Sequence, residues 1–139
     1  MDERMRQEFL DKAKNGENLG STLGFEYIEA GPDSVVIKVP VTAKLHQPVG
    51  IVHGGVYAAI AEEVASVAGQ TWLGDRGNVV GVNNNTDFLR SVSEGTLTAV
   101  GTPIHRGRSQ QLWRVEISDA SGRVLATSQV RLANLTPKA

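Results

Sequence analysis

Apolar positions between residues 56 and 72 repeat with the period of a helix. Val56, Ile60, Val64 and Val67 fall on one side when successive residues are placed about 100° apart. The segment is also rich in alanine, the residue with the highest intrinsic helix propensity. The pattern predicts one long helix that packs an apolar face against another layer of the protein.

Most of the chain after residue 77 has the composition of strands. Trp113, Val115 and Ile117 alternate with Arg114 and Glu116, the period-two pattern of a strand with one buried face. Short turn segments separate the apolar runs and favour antiparallel pairing. Four strands are predicted here, over residues 78–89, 96–106, 110–118 and 123–135.

The chain before the long helix is more broken. Apolar residues spaced among charges predict a short amphipathic helix over residues 2–14, and three glycines that follow it leave room for one more helical turn. A turn sequence at residues 31–33 joins two predicted strands. These strands cover residues 25–28 and 34–41, and a loop is predicted over residues 42–52.

The order of elements is helix, two strands, long helix and four strands. It predicts an α+β architecture in which an antiparallel sheet wraps around one long central helix. A length of 139 residues suits one domain, residues 1–139, with residues 1–18 as an N-terminal helical extension.

Composition excludes several classes of function. The chain has no cysteine, which rules out disulfides, cysteine zinc sites and thiol nucleophiles. A formal net charge of -1 provides no overall basic field for nucleic acid. No apolar run approaches the length of a membrane span, and the charged N-terminus does not resemble a signal peptide. We therefore expect a cytoplasmic protein with no nucleic-acid or membrane partner.

The three histidines do not suggest a metal site. His46, His53 and His105 are widely separated, and no His-Glu-x-x-His motif occurs. We predict that the protein binds no metal ion.

The second face of the long helix carries a carboxylate among small residues. Glu62 lies at its centre, and Glu63 lies about 100° away, beside the apolar face. The small residues around Glu62 are Gly55, Ala58, Ala59, Ser66 and Gly69. Both glutamates could be ordinary solvated charges. Alternatively, the small side chains would let a ligand or a second subunit approach Glu62 closely.

The segment His53-Gly54-Gly55 opens the same helix. Free amides and the positive end of the helix dipole can stabilise a developing negative charge there. An oxyanion site and a carboxylate within about two turns are suited to acyl transfer to water. The segment could also be a simple tight turn. A lipase-type hydrolase is excluded because no Gly-x-Ser-x-Gly elbow follows.

A longer motif carries a family resemblance. Residues 46–55 read His-Gln-Pro-Val-Gly-Ile-Val-His-Gly-Gly, and Ala61-Glu62 and residues 66–69 follow at fixed spacing. The chain resembles the PaaI-type hotdog-fold acyl-CoA thioesterases from about residue 20 to residue 135. Within them it is most similar to the 4-hydroxybenzoyl-CoA and 1,4-dihydroxy-2-naphthoyl-CoA thioesterase subgroup. The resemblance implies hydrolysis of an aryl- or acyl-CoA to the free acid and CoA.

The resemblance also implies roles for five residues. Glu62, nine positions after the motif histidine, is the catalytic carboxylate and acts as nucleophile or general base. The Gly54 amide is the oxyanion donor, and Gln47 helps to position the thioester carbonyl. Ser66 holds the water, and His53 shapes the carbonyl site. Ser66 shares a helix face with Glu62, so the helical geometry agrees with this assignment.

Two further segments resemble those that line the CoA tunnel in relatives. CoA carries a pyrophosphate and a 3'-phosphate, so cationic side chains there have a physical role, although each arginine could simply be solvated. The residues implied are Arg90, His105, Arg106, Gly107, Arg108 and Ser109. No separate cofactor is implied, because CoA is part of the substrate.

Two positions depart from the family pattern. A second glutamate, Glu63, follows the catalytic one, and Phe88 stands where naphthoyl-type members carry a histidine. Tyr57, Trp72 and Phe88 could line an aromatic pocket or belong to the core. The sequence alone does not identify the acyl group.

The resemblance implies a homo-oligomer. We expect a dimer with joined sheets and a site shared across its interface, paired into a tetramer as a dimer of dimers.

Two other functions fit the fold. One is a hotdog hydratase or dehydratase, and the other is a non-enzymatic acyl-CoA-binding protein. Their characteristic sequence patterns are absent from this chain.

Overall fold

The computed structural model describes residues 3–137, which form three α-helices and six strands. The helices are α1 (Glu3–Asn15), α2 (Leu19–Leu23) and α3 (Gly54–Leu73). The strands are β1 (Glu26–Ala30), β2 (Val35–Pro40), β3 (Asn78–Phe88), β4 (Thr96–Arg106), β5 (Gln110–Ser118) and β6 (Val124–Leu135). Short 3-10 segments at Ala43–Leu45 and Gly74–Arg76 lie on either side of α3.

The predicted elements match these bounds to within about two residues, with two informative differences. The long helix begins at Gly54 because His53 caps it, two residues before the apolar repeat begins. The segment 42–52, predicted as a loop, contains one 3-10 turn. Asp2, where the first helix was predicted to begin, lies outside the described residues.

The six strands form one antiparallel sheet in the order β1-β2-β4-β5-β6-β3. Helix α3 contacts β2, β3, β4, β5 and β6 along one face of this sheet. The result is the hotdog fold, in which the sheet wraps around one central helix. The strand β3 forms one edge of the sheet, which becomes important for the site.

The interface between helix and sheet is fully buried. Ile60 and Val64 of α3 have no exposed surface, and neither do Trp113, Ile117 and Leu132 of the sheet. Each such side chain contributes about 1.5–3 kcal/mol by leaving water. This apolar contact holds the helix, and therefore its polar face, in a fixed position on the sheet.

Gly69 was predicted to lie on the face opposite the sheet, and this prediction is wrong. A Cβ atom at Gly69 would lie 2.3 Å from Leu132 Cδ1 and 2.8 Å from Gln111 Oε1. The sheet therefore curves further around the C-terminal half of α3 than a flat layer would. Only a glycine permits this close approach.

No helix within residues 3–137 is both long enough and apolar enough to cross a membrane.

Candidate active site

Within residues 3–137, the Gly54 amide at the N-terminus of α3 has no hydrogen-bond acceptor. His53 is the N-cap, and its Nδ1 accepts a hydrogen bond from the Gly55 N–H at 2.7 Å. The Val56 N–H donates to the His53 carbonyl oxygen at 2.9 Å. Gly54 is the first helical residue, and its N–H has no acceptor within the helix. The cap therefore satisfies the amides of Gly55 and Val56 but not that of Gly54.

The loop before α3 carries Gln47 to the same place. Its backbone is closed by hydrogen bonds from Gln47 N–H to the Ile51 oxygen and from Gly50 N–H to the Gln47 oxygen. The Gln47 Oε1 atom accepts the Val49 N–H. The side chain is thereby oriented, and its amide nitrogen is the end that can donate to a ligand.

A cavity of about 350 Å³ lies against Gln47 and Gly54. Its walls are mainly apolar. The other residues that line it are Ile51, Val52, Tyr57, Phe88, Leu89, Arg90 and Ser91. Tyr57 and Phe88 form an aromatic pair with ring centroids 6.1 Å apart and planes tilted by 44°. Of the three aromatic residues considered from the sequence, these two line the cavity.

Glu62 lies two turns further along α3 and faces β3. A Cβ atom at Gly81 would lie 2.5 Å from Glu62 Oε1, so the carboxylate rests against the strand backbone. The Glu62 Oε2 atom is buried without a hydrogen-bond partner within residues 3–137. Burial raises the pKa of Glu62 above its ordinary value. A desolvated, unpaired carboxylate is suited to accept a proton or attack a carbonyl carbon.

The small-residue face around Glu62 is only partly covered. Gly55 is exposed, whereas Ala59 and Ser66 are half-buried. Ser66 lies one turn beyond Glu62 on this face, as the helical spacing predicts. These positions together form an open stripe on α3 that another molecule can approach.

Glu63 has a different environment. Its Oε2 atom accepts a hydrogen bond from the Tyr27 hydroxyl of β1, and a Cβ atom at Gly20 would lie 2.7 Å from either carboxylate oxygen. Burial raises the pKa of Glu63, and the hydrogen bond from Tyr27 partly opposes that rise. Burial, together with the Glu63 carboxylate, also raises the pKa of Tyr27. Glu63 is thus enclosed between α2, β1 and α3, away from the cavity.

One chain does not bring Gly54 and Glu62 together. They are eight residues apart on one helix, which corresponds to about 12 Å of rise. Their contacts on β3 are also separated, since Gly54 lies against Phe88 and Glu62 against Gly81, seven residues earlier. One small chemical group therefore cannot contact both Gly54 and Glu62 of the same chain.

Arg106, one of the expected CoA contacts, also makes polar contacts within the protein. Its Nη1 atom bonds to Asp33 Oδ1 at 2.7 Å and to the Pro32 oxygen at 2.9 Å. Its guanidinium also lies 5.7 Å from the Trp72 ring centroid and 5.9 Å from that of Trp113. Trp72 itself lies at the C-terminal end of α3 and does not line the cavity described above.

The turn between β4 and β5 holds the other predicted CoA contacts. Arg108, Ser109 and His105 are exposed, and Gly107 is half-buried next to the His105 ring. Asn134 braces this turn, because its Nδ2 donates to the Gly107 oxygen at 3.0 Å and to the Arg108 oxygen at 3.1 Å. Within one chain, this turn lies near the opposite end of α3 from Gly54.

Arg90 is the predicted CoA contact that lines the cavity itself. Its Nη1 atom donates to the Val124 oxygen at 2.9 Å, while the side chain stays exposed. The guanidinium therefore supplies positive charge at the cavity mouth.

Sequence reasoning missed two parts of this environment. Gly81 is the backbone surface against which Glu62 rests, and a glycine inside a predicted strand is a known signal of close approach. Gln111 is fully buried and joins Trp113 Nε1, Asn134 Oδ1 and the Gly69 oxygen in one network. The period-two alternation of β5 places Gln111 on the same face as Trp113, Val115 and Ile117, and this signal could have identified it as a buried polar residue.

No group of three or more His, Cys, Asp or Glu side chains within the described residues is arranged to hold a metal ion.

Comparisons with known proteins assign the family. The model of the thioesterase superfamily matches residues 49–126, more than half of the chain. The Mycobacterium tuberculosis protein Rv1847, provisionally named an esterase, is 52% identical over 118 residues, covering 83% of this chain and 84% of that protein. The chain belongs to the thioesterase superfamily.

Relatives with thioesterase names agree. The proofreading thioesterase EntH of Cronobacter turicensis is 38% identical over 125 residues, covering 88% of this chain and 91% of EntH. The solved structure of thioesterase HI1161 from Haemophilus influenzae superposes with a TM-score of 0.86 at 34% identity, covering 93% of this chain and 90% of that one. The protein is a thioester hydrolase with the hotdog fold.

Proposed function

We propose that this protein hydrolyses the thioester of an aryl- or acyl-CoA to the free acid and CoA, with Glu62 as the catalytic carboxylate. The observation that carries the proposal is the uncapped Gly54 amide, which lies at the helix N-terminus against an apolar cavity. Such an amide stabilises the oxyanion that forms when a thioester carbonyl is attacked. The thioesterase relatives favour hydrolysis over the hydratase and non-enzymatic alternatives.

The residues of the site divide the chemistry between them. The Gly54 N–H and Gln47 Nε2 hold the carbonyl oxygen, and His53 keeps the helix N-terminus in place by capping Gly55. In the general-base route, Glu62 takes a proton from water held by Ser66, and the hydroxide attacks the carbonyl carbon. The C–S bond then breaks, and the thiolate of CoA accepts a proton. In the nucleophilic route, Glu62 attacks first and water then cleaves the resulting anhydride.

A second copy of the chain would complete the site. The outer edge of β3 is unpaired within residues 3–137, and Val80 and Val82 on this strand are exposed. An antiparallel pairing of two β3 strands centred between Asn84 and Asn85 sets Gly81 of one copy opposite Phe88 of the other. Glu62 of one subunit would then face Gly54 of its partner. We accordingly propose a homodimer with two shared sites, paired into a tetramer.

The CoA portion is proposed to contact Arg90 at the cavity and the turn that carries Arg108. Arg90 is close enough to the cavity to meet the pantetheine end of the substrate, whereas Arg108 suits a phosphate because it is exposed. His105, Gly107 and Ser109 complete that turn. The proposed reaction requires no metal or separate cofactor.

Isotope labelling distinguishes the two routes and tests the assignment of Glu62. Benzoyl-CoA is hydrolysed in water enriched in oxygen-18 under single-turnover conditions, with enzyme in excess. Mass spectrometry of the peptide that contains Glu62 then measures label in its carboxylate. Label in Glu62 demonstrates the nucleophilic route, whereas label confined to benzoate is the result of a general base or of an anhydride that water opens at the benzoyl carbon. An enzyme with no activity toward any CoA thioester would contradict the proposed function.

Light scattering tests the proposed oligomer, and activity measurements on variants test the site shared between subunits. We expect a dimer or tetramer at micromolar concentration, and loss of activity in a Val82→Asp variant that blocks the β3 edge with charge. Mixing inactive Glu62→Gln subunits with subunits disabled at Gly54 should restore activity in heterodimers, because one of the two sites is then intact. A stable, active monomer would contradict this arrangement.

A further inference from the structure

The ring of Phe88 lies directly over the oxyanion end of α3. A Cβ atom at Gly54 would lie 3.1 Å from Phe88 Cζ and 3.2 Å from Phe88 Cε1. The outer end of the ring therefore contacts the helix backbone beside the free Gly54 amide. Phe88 also packs against the buried Tyr57, whose ring forms the adjoining cavity wall.

Within a single chain, Phe88 is nonetheless a largely exposed side chain. It retains 56% of its accessible surface, and the neighbouring Leu89 retains 55%. Both residues line the cavity, so much of the exposed apolar surface is presented to whatever occupies it. An exposed aromatic ring next to a polar donor is the usual arrangement of a ligand pocket with one orienting hydrogen bond.

We propose that Phe88 is a specificity-determining residue that selects flat aryl groups over small alkyl groups at the carbonyl carbon. This inference rests on the proposed function. When the carbonyl oxygen accepts the Gly54 N–H, the substituent on the carbonyl carbon lies within reach of the Phe88 ring. An aryl group offers a flat face to that ring, whereas a methyl group covers little of it.

The position of the ring also sets the limit of its role. Phe88 has no group that can donate, accept or attack, so it cannot take part in bond making. It acts by touching the acyl group, and its removal should slow each substrate according to how much of its acyl group packs on the ring. A residue with a purely structural role would instead lower the turnover of all thioesters by the same factor.

The test compares kcat/KM for benzoyl-CoA and acetyl-CoA in Phe88→Ala and Phe88→Leu enzymes. We expect the benzoyl to acetyl ratio to fall roughly 10-fold in Phe88→Ala, with Phe88→Leu between it and the unmodified enzyme. Ile28→Ala is the matched control, because Ile28 is an equally exposed apolar residue, at 58%, on another strand. Its ratio should not change.

Equal losses for both substrates would overturn the inference and leave the proposed thioesterase activity intact. Melting temperature and light scattering monitor folding and assembly, and Phe88→Leu decides the matter if Phe88→Ala does not fold. An unmodified enzyme that hydrolyses no CoA thioester would overturn the proposed function, and this inference with it.

Discussion

The hydroxyl group of Tyr27 on β1 donates a hydrogen bond to the carboxylate of Glu63 on α3. The adjacent Glu62 has no such partner within residues 3–137, and its Oε2 atom is buried and unpaired. Two consecutive glutamates thus face different parts of the molecule. Glu63 is enclosed by the N-terminal segment, whereas Glu62 rests against the backbone of β3 at Gly81.

The first prediction separates the roles of these two carboxylates. Glu62→Gln should lower kcat by at least the roughly 10²-fold expected for an acid-base group, because the amide cannot accept a proton or attack. Glu63→Gln should keep most of the activity, since its side chain is directed toward Tyr27 and α2. Steady-state kinetics on benzoyl-CoA, with melting temperatures for both variants, measure the difference.

The reverse result would be decisive against our assignment. If Glu63→Gln were inactive and Glu62→Gln active, both the motif match and the contact with Gly81 would have been misinterpreted. A loss of activity in both variants with unchanged melting temperatures would show that Glu63 also takes part in the reaction.

The second prediction concerns stability as a function of pH. Because burial raises the pKa of Glu63 above 4.5, the folded state holds this proton more tightly than the unfolded state. The resulting stabilisation is complete below the unfolded pKa and is lost as the pH rises through the folded pKa. The melting temperature of Glu63→Gln should therefore fall less between pH 4.5 and neutral pH than that of the unmodified protein.

The Tyr27→Phe variant should change the pH dependence of stability in the opposite direction. The Tyr27 hydrogen bond lowers the pKa of Glu63, so its loss should raise that pKa further and steepen the fall in stability. Asp119 affects stability in a lower pH range. Its hydrogen bonds to Ser121 and Arg123 lower its pKa to about 2, so its contribution is lost only as the pH falls toward that value. Identical pH profiles of stability for the unmodified protein, Glu63→Gln and Tyr27→Phe would contradict the prediction.

Much of this arrangement could be predicted from the chain because its signals are local. The apolar repeat of α3, the alternation in β5 and the glycines at the start of α3 each specify their own element. They also place Glu62 and Ser66 on one helix face. An antiparallel sheet around one central helix follows from the order of these elements, the family resemblance implies the hotdog fold, and both are confirmed.

Contacts between distant segments could not be predicted in the same way. The pair Arg106–Asp33 joins residues 73 positions apart, and nothing in either segment indicates it. The same applies to Gly69, which a flat-layer view placed on the wrong face because the curvature of the sheet is not encoded in helix periodicity. Side-chain partners across the sheet depend on how strands curve, and only the folded chain determines this.

The third prediction follows from the difference between the two arginines near the β4–β5 turn. Arg108→Ala should raise KM for CoA thioesters several-fold with little change in kcat, because phosphate contacts are equal in ground and transition states. Arg106→Ala should instead lower stability by about 1–2 kcal/mol, since it removes an ion pair and contacts with two tryptophan rings.

Thermal unfolding and kinetics on two substrates measure both effects. A pantetheine thioester without the nucleotide is the control for Arg108→Ala, and its KM should not change. If Arg108→Ala left KM for benzoyl-CoA unaltered, the turn would not bind the phosphates.

The last prediction uses two glycines that each rest against one of the glutamates. A Cβ atom at Gly81 would lie 2.5 Å from Glu62 Oε1, and one at Gly20 would lie 2.7 Å from the Glu63 carboxylate oxygens. In both cases the obstructed atom is the end of a flexible side chain. Either alanine variant should therefore fold, with the carboxylate displaced.

We expect displacement of the Glu62 carboxylate, but not of the Glu63 carboxylate, to lower kcat. Gly81→Ala should lower kcat by up to about 10²-fold, because a shift of roughly 1 Å in a reacting group has an effect of that size. Gly20→Ala makes the same change of one methyl group next to Glu63 and should leave kcat nearly unchanged. Light scattering controls for altered pairing of β3 in Gly81→Ala. Equal kcat values in the two variants would mean that the position of Glu62 against β3 does not determine the rate.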